Sequence, residues 1–129
     1  MTLVPTATYY GILTLDGSNN PTGQIYTADL SSVPAGTSRV AIVNASQDSL
    51  GATFSGAPGA VFALPANTLQ PFNPPSGLYA STIVDSSLNV LAGPVFLELG
   101  QANTYLYVVA GSAATNIQWI GPAVIRGVF

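Results

Sequence analysis

Apolar and polar positions along the chain fall into short runs, and no helical repeat lasts for more than a few residues. The segments ATYYGILTL, GQIYTAD, SRVAIVN, GATFSG, AVFAL, GLYASTIVD, LNVLAG, PVFLEL, NTYLYVVAG, TNIQWIG and AVIRGVF are rich in β-branched and aromatic residues and read as strands. Between them, DGSNNPTG, SSVPAGTS, GAPG and QPFNPPSG supply the Gly, Pro, Asn and Ser that turns require. Turn signals recurring at about 8–12 residues predict an all-β chain. The expected architecture is a single antiparallel β-sandwich or jelly-roll-like domain over residues 1–129, with little or no helix.

Two regions depart from this rhythm. LPANTLQPFNPPSG, residues 64–77, carries Pro65, Pro71, Pro74 and Pro75. Each lacks a backbone donor, so the segment cannot run through the middle of a sheet. It reads as a stiff connection across the sandwich end, or as an arm that docks on a neighbour. The first dozen residues and the final AVIRGVF are apolar to the tips. Termini left in water fray, so both are expected to be docked, into the chain's own sheet or onto another subunit.

The stretch NTYLYVVAG, residues 103–111, poses the sharpest question. Tyr105, Tyr107 and Val109 share one face of a strand, and Leu106, Val108 and Ala110 share the other. Both faces are apolar, whereas an ordinary surface strand shows water one polar face. Cover for the second face can come from a flanking loop of the same chain, from an identical subunit around a symmetry axis, or from a large scaffold made by another protein.

Composition narrows the functional classes. The chain has 129 residues, enough to bury roughly two thirds of its unfolded surface in one core. Only 5% of residues are charged, against about 25% in a typical soluble domain. The charged residues are Asp16, Asp29, Asp48, Asp85, Glu98, Arg39 and Arg126, with no Lys and no His. No apolar run approaches the roughly 18 residues of a spanning helix, so no membrane partner is expected. A net charge of −3 with two arginines cannot replace the counterions of a nucleic-acid backbone. Cysteine is absent, which removes disulfides and thiolate metal sites. The start, MTLVPTATYYG, lacks a charged n-region and a continuous apolar h-region, so synthesis in a cytoplasm without a signal peptide is expected.

Without His, Cys or Lys, the usual nucleophile–base constellations cannot be built within one chain. Carboxylate chemistry remains. STIVDSSLNV resembles the apolar-apolar-Asp-Ser/Thr-Gly loop of retroviral-type aspartic proteases around Asp85, but Ser87 occupies the glycine position; a strand-end or hairpin role is expected. Glu98 with one Asp offers a glycosidase pair only if the two lie close. DGSNNP, starting at Asp16, alternates oxygen-bearing side chains as a calcium loop does, yet Pro21 and Thr27 stand where an EF-hand needs Gly and Glu; it reads as a hairpin turn, with a loose calcium site from Asp16 and Asn19 as the alternative. Asn44–Ser46 matches a glycosylation acceptor. Trp119, sharing a face with Ile117, reads as core packing, with ligand stacking as the alternative. No catalytic residue, cofactor or metal site is assigned, and the chain is read as not an enzyme.

Arg39 and Arg126 each sit in an apolar strand-like run, where a bidentate salt bridge is the natural fate and, across a subunit interface, would fix register. A solitary small domain normally uses many Lys and Glu to stay soluble. A chain with so few suits an exterior occupied by neighbours, because uncharged Ser, Thr, Asn and Gln form interfaces without desolvating ions. The interface candidates are therefore Tyr105, Tyr107, Val109, Arg39, Arg126, Pro71, Phe72, Pro74, Pro75 and Phe129.

In size, composition and architecture the whole chain resembles the small decoration, or cement, proteins of tailed-bacteriophage heads and other small virion β-domains. That resemblance implies a structural virion protein, made in the host cytoplasm, that binds the major capsid protein or another scaffold from outside. It also implies a homo-oligomer, commonly a trimer, with the apolar termini and residues 64–77 gripping capsid or neighbour. A second resemblance competes. SRVAIVNASQDSLGATFSG and GLYASTIVDSSLNVLAGPVFLELGQANTYLYVVAG are similar in pattern to a family of secreted bacterial β-sandwich domains, best over Arg39–Asp48, Leu78–Val84 and Gly100–Gly111. Gln47 replaces that family's proline and the Gly-Lys before the last strand is missing. This second reading implies an extracellular or cell-surface module, or a filament subunit.

Overall fold

The computed structural model describes residues 9–15, 20–28, 33–55, 61–100, 103–112 and 116–125. All regular structure among them is strand: β1 (Tyr9–Leu15), β2 (Pro21–Thr27), β3 (Arg39–Asn44), β4 (Leu50–Phe54), β5 (Val61–Leu64), β6 (Thr68–Phe72), β7 (Gly77–Val84), β8 (Val90–Leu99), β9 (Thr104–Ser112) and β10 (Asn116–Ile125). The chain forms two compact units, residues 1–31 and 32–129, where one domain over 1–129 was expected. In the first, β1 and β2 pair antiparallel from Tyr9↔Thr27 to Leu15↔Pro21. Leu13 and Ile25 lie on one face of that hairpin and are exposed.

The second unit is the sandwich. One sheet has the order β10-β9-β3-β6 and the other β5-β4-β7-β8. Every pairing is antiparallel except β3 with β9, which run parallel from Arg39↔Thr104 to Asn44↔Val109. The core lies between the sheets. Val40, Ile42, Tyr105, Tyr107, Val109 and Ile117 come from one side; Leu50, Ala52, Phe54, Leu64, Ile83, Leu97 and Leu99 come from the other.

Two Gly-Pro steps that read as strand ends are strand interiors. LNVLAG and PVFLEL join as β8 through Gly93–Pro94, and TNIQWIG continues into AVI as β10 through Gly121–Pro122. Both strands are sheet edges, and both carry register shifts near these steps, between Ser81 and Ile83 and between Ile120 and Ala123. An edge strand needs only half its backbone groups for the ladder, so a bulge and a proline interrupt it without ending it. Gly93 is required at its step: its φ is +93°, and a Cβ there would lie 2.7 Å from the Ser81 carbonyl.

The same reasoning corrects the reading of residues 64–77 as a connection or arm. Thr68–Phe72 is β6, paired with β3 through Ala41↔Pro71 and Val40↔Phe72. It too is an edge strand, which is where a sheet accepts proline.

The chain changes sheets between β3 and β4 through a polar corner. Asn44 is fully buried, and its amide makes four hydrogen bonds. Nδ2 donates to the carbonyls of Asp48 and Leu64, both at 2.8 Å, and Oδ1 accepts from the Ser46 amide at 3.0 Å and the Ser46 hydroxyl at 2.7 Å. Tyr105 places its ring in the core, while its hydroxyl accepts the Gly100 N–H at 2.6 Å in the loop after β8.

Two outcomes are expected. Asn44→Ala strands the Leu64 carbonyl and Ser46 at a buried site, so a loss of about 2–4 kcal/mol is expected in urea denaturation. Burial, with Tyr105 adding to it, pushes the Tyr107 phenol up to about 12 from 10.0. Its folded value exceeds the unfolded one, so its stabilisation is complete below pH 10 and lost as pH rises through 12. Denaturation midpoints should fall across that window, and Tyr107→Phe should flatten the fall.

Candidate functional site

The doubly apolar strand resolves first. Tyr105, Tyr107 and Val109 of β9 point between the sheets and are buried. They are core residues of this chain, so its fold withdraws them from any interface. Leu106, Val108 and Ala110 lie on the outer face and are half-buried. On neighbouring β3, Ala41 and Val43 also face outward, yet Val43 is 0% exposed. Cover for the second face at the sheet centre therefore comes from within the chain.

Arg39 is buried at the start of β3, where its N–H donates to the Asn103 carbonyl at 3.0 Å. Pro71 is exposed on β6. Phe72, Pro74 and Pro75 are brought together, with Phe54, Phe62 and Tyr79, around a recess of about 300 Å³ at one end of the sandwich. Its rings meet edge to face: Phe62 lies 4.7 Å from Phe72 and 5.4 Å from Phe54, and Tyr79 lies 6.3 Å from Phe54. The Tyr79 hydroxyl donates to the Pro75 carbonyl at 2.5 Å. Arg126, Phe129, Asp16, Asn19 and Asp29 lie outside the described residues.

The described carboxylates sit on separate elements. Asp48 belongs to the corner after β3, Asp85 to the β7–β8 hairpin, and Glu98 to the outer face of β8. Among the described residues no group of three His, Cys, Asp or Glu side chains is placed to hold a metal. The Asn44 amide has both of its hydrogens committed inside the corner, so the sequon nitrogen is inaccessible in the folded chain. Trp119 packs 5.3 Å from Tyr107 against the core, and its Nε1 is buried without a partner.

Two exposed apolar features were not legible beforehand. On the outer face of β7 and β8, Leu78 is 80% and Phe96 85% exposed. They sit diagonally across the strand pair, beside Ala80 and Glu98, and flank a depression of about 550 Å³. The pattern PVFLEL did contain the signal. Val95, Leu97 and Leu99 alternate inward, and Glu98 marks the outer face that Phe96 shares.

The second feature is the β7–β8 hairpin tip, where Leu88 is 65% exposed at φ +67°. A non-glycine residue in the left-handed region costs roughly 1–2 kcal/mol. Asp85 holds it there. Its Oδ1 accepts the amides of Ser87 and Asn89, both at 2.9 Å, and its Oδ2 accepts Asn89 Nδ2 at 3.0 Å. This is the hairpin role expected for Asp85, with the carboxylate occupied by its own turn.

The sandwich thus uses its polar side chains to fix corners and turns and presents apolar surface outward. Compared with known families and curated proteins, the chain matches no family model and no curated sequence.

Hydrogen bonds from the Asn89 side chain and backbone, helped by Ser87, hold the Asp85 carboxyl below its usual range. Its folded value is depressed, so the ordering it gives the tip is present above the unfolded value and lost as pH falls through the folded one. Amide resonances of Ser87 and Asn89 should titrate with a midpoint below about 3.9, the ordinary aspartate value, and Asp85→Asn should abolish that titration.

Proposed function

We propose that this chain is a non-enzymatic structural protein that works by lateral and scaffold contacts, as a capsid decoration or cement protein of a virion. The major capsid protein, or another virion scaffold, is the partner on this reading, and the working form is a homo-oligomer, with a trimer favoured. The carrying observation is the outer face of β7 and β8, where Leu78 and Phe96 stand almost fully in water on a chain with 5% charged residues. Contiguous exposed apolar surface on a soluble domain marks a contact site. A surface without lysine is poorly suited to a solitary life.

The β1–β2 hairpin adds support, since it too presents large apolar side chains to water, Leu13 and Ile25. Neither nucleic acid nor a bilayer is needed as a partner.

An exported β-sandwich module at a cell surface is the second reading. It is favoured by one observation: the three segments resembling that family fall on β3, β7 and β9, three of the four inner strands of the two sheets.

The test is sedimentation of the protein with purified phage capsids that lack decoration. Stoichiometric co-sedimentation is expected, with Phe96→Asp reducing it by roughly tenfold or more, the worth of one buried aromatic. Protein left wholly in the supernatant, together with a leader sequence in the genomic reading frame, would replace the virion reading with the exported one.

A further inference from the structure

We propose that the outer face of β7 and β8 recognises an arginine presented by the scaffold protein, whose guanidinium forks on the Glu98 carboxylate and lies over the Phe96 ring. The inference rests on the assembly reading above and deepens it by naming the chemistry of the partner surface.

Four residues define the face. In the β7–β8 register Leu78 stands opposite Glu98 and Ala80 opposite Phe96. Leu78 and Phe96 therefore occupy one diagonal of a square, and Ala80 and Glu98 the other. The small Ala80 side chain leaves the middle low, within the depression of about 550 Å³. Leu78 and Phe96 rise from its rim, both almost fully in water. Side chains standing that far out are covered by another surface rather than by a small molecule held between them. A surface that removes both from water also covers Glu98.

That coverage decides the chemistry of the partner. Glu98 is exposed and makes no hydrogen bond or ion pair among the described residues. Asp85 differs, since its carboxylate is committed to its own turn. Taking an unpaired carboxylate out of water is strongly unfavourable, and a hydrogen-bonded cation offsets the loss. Interface centres are depleted of charge for this reason. A carboxylate set among the apolar residues of a contact face thus calls for a positive charge opposite it.

The neighbours of Glu98 select arginine as that charge. Phe96 and Glu98 share one face of β8 two residues apart, a spacing of roughly 7 Å. A guanidinium is planar, matches a carboxylate with two parallel donors, and stacks on an aromatic ring within about 6 Å. One arginine can therefore meet both groups while Leu78 packs on its aliphatic stem. A lysine ammonium meets the carboxylate as a strongly hydrated point charge and gains less from the ring.

A different protein supplies this arginine better than a second copy does. The chain has no lysine or histidine and only two arginines. Arg39 is buried at the start of β3, and Arg126 lies outside the described residues. Each copy also carries a net charge of −3, so copies repel, whereas a basic scaffold surface is drawn to the face.

The first experiment titrates the isotope-labelled full chain with arginine blocked as its acetyl amide, and with the matching citrulline compound, which keeps the shape without the charge. Arginine should move the amide resonances of Leu78, Ala80, Phe96 and Glu98, and citrulline should leave them in place. Glu98→Gln should weaken arginine binding roughly tenfold, the worth of a hydrogen bond to a charged group. Phe96→Leu keeps apolar bulk and should weaken it about threefold through loss of the ring. Both positions are exposed, so circular dichroism should be unchanged. The second experiment repeats the capsid sedimentation with Glu98→Gln, where affinity should fall by a similar factor.

No movement of these amides, equal movement with citrulline, or full arginine binding by Glu98→Gln would overturn the proposal. Capsid binding indifferent to Glu98→Gln would also overturn it and leave the assembly reading standing. Arginine binding without any capsid binding would do the reverse, removing the virion reading and keeping the arginine site. Self-association abolished by both Glu98→Gln and Arg126→Gln would place the arginine on a second copy and overturn its assignment to the scaffold.

Discussion

The sandwich depends on one buried amide. Asn44 ends β3 in one sheet, and its Nδ2 reaches the Leu64 carbonyl at the end of β5 in the other. The same side chain closes the turn that delivers the chain to β4, through Ser46 and Asp48. A buried amide with one partner missing would cost more than its bonds return. With all four partners in place it admits one path between the sheets. That path sets the inward register of Leu50, Ala52 and Phe54, because a one-residue slip would turn those side chains to water. Everything packed against them, including the aromatic recess and β7, follows from that register.

Around this corner the chain meets the problem of edges. Four strands end the two sheets, and β6, β8 and β10 each carry a proline, at Pro71, Pro94 and Pro122. Proline on an edge blocks unwanted strand addition while leaving the inner ladder intact. Natural β-proteins often use lysine for the same purpose, and this chain has none. Its edges are protected by backbone chemistry rather than by charge. An uncharged surface then remains free to make close contacts.

Strand positions were largely legible because alternation and turn residues are local. The apolar identity of β3, β7 and β9 needed no knowledge of partners. What sequence reasoning misplaced were features set by sheet position: Gly93–Pro94 and Gly121–Pro122 read as breaks because a local rule cannot tell an edge from a centre. β6 was hidden for the same reason. The inward face of Tyr105, Tyr107 and Val109 was indistinguishable from the outward one, since both are apolar; only the pairing with Val40 and Ile42 decides which packs on Phe54 and Leu97. Of the ten interface candidates, Phe72, Pro74 and Pro75 converge on one recess. Leu78 and Leu88 were missed because nothing in their own residue types separates a core residue from an exposed one, whereas Phe96 shares the outer face that Glu98 marks in PVFLEL.

The distribution of polar and apolar groups also bears on function. Hydroxyl, amide and carboxylate contacts hold turns: Tyr105 on Gly100, Asn44 on Leu64, Asp85 on Asn89. Apolar groups are arranged the opposite way. Phe96, Leu78 and Leu88 sit where burial would be favourable and where no element of the sandwich supplies it. Placing them in water is unfavourable by roughly 1.5–3 kcal/mol per fully exposed side chain relative to burial. The proposed assembly draws on that free energy, which a fold with rigid polar corners leaves unclaimed on its surface.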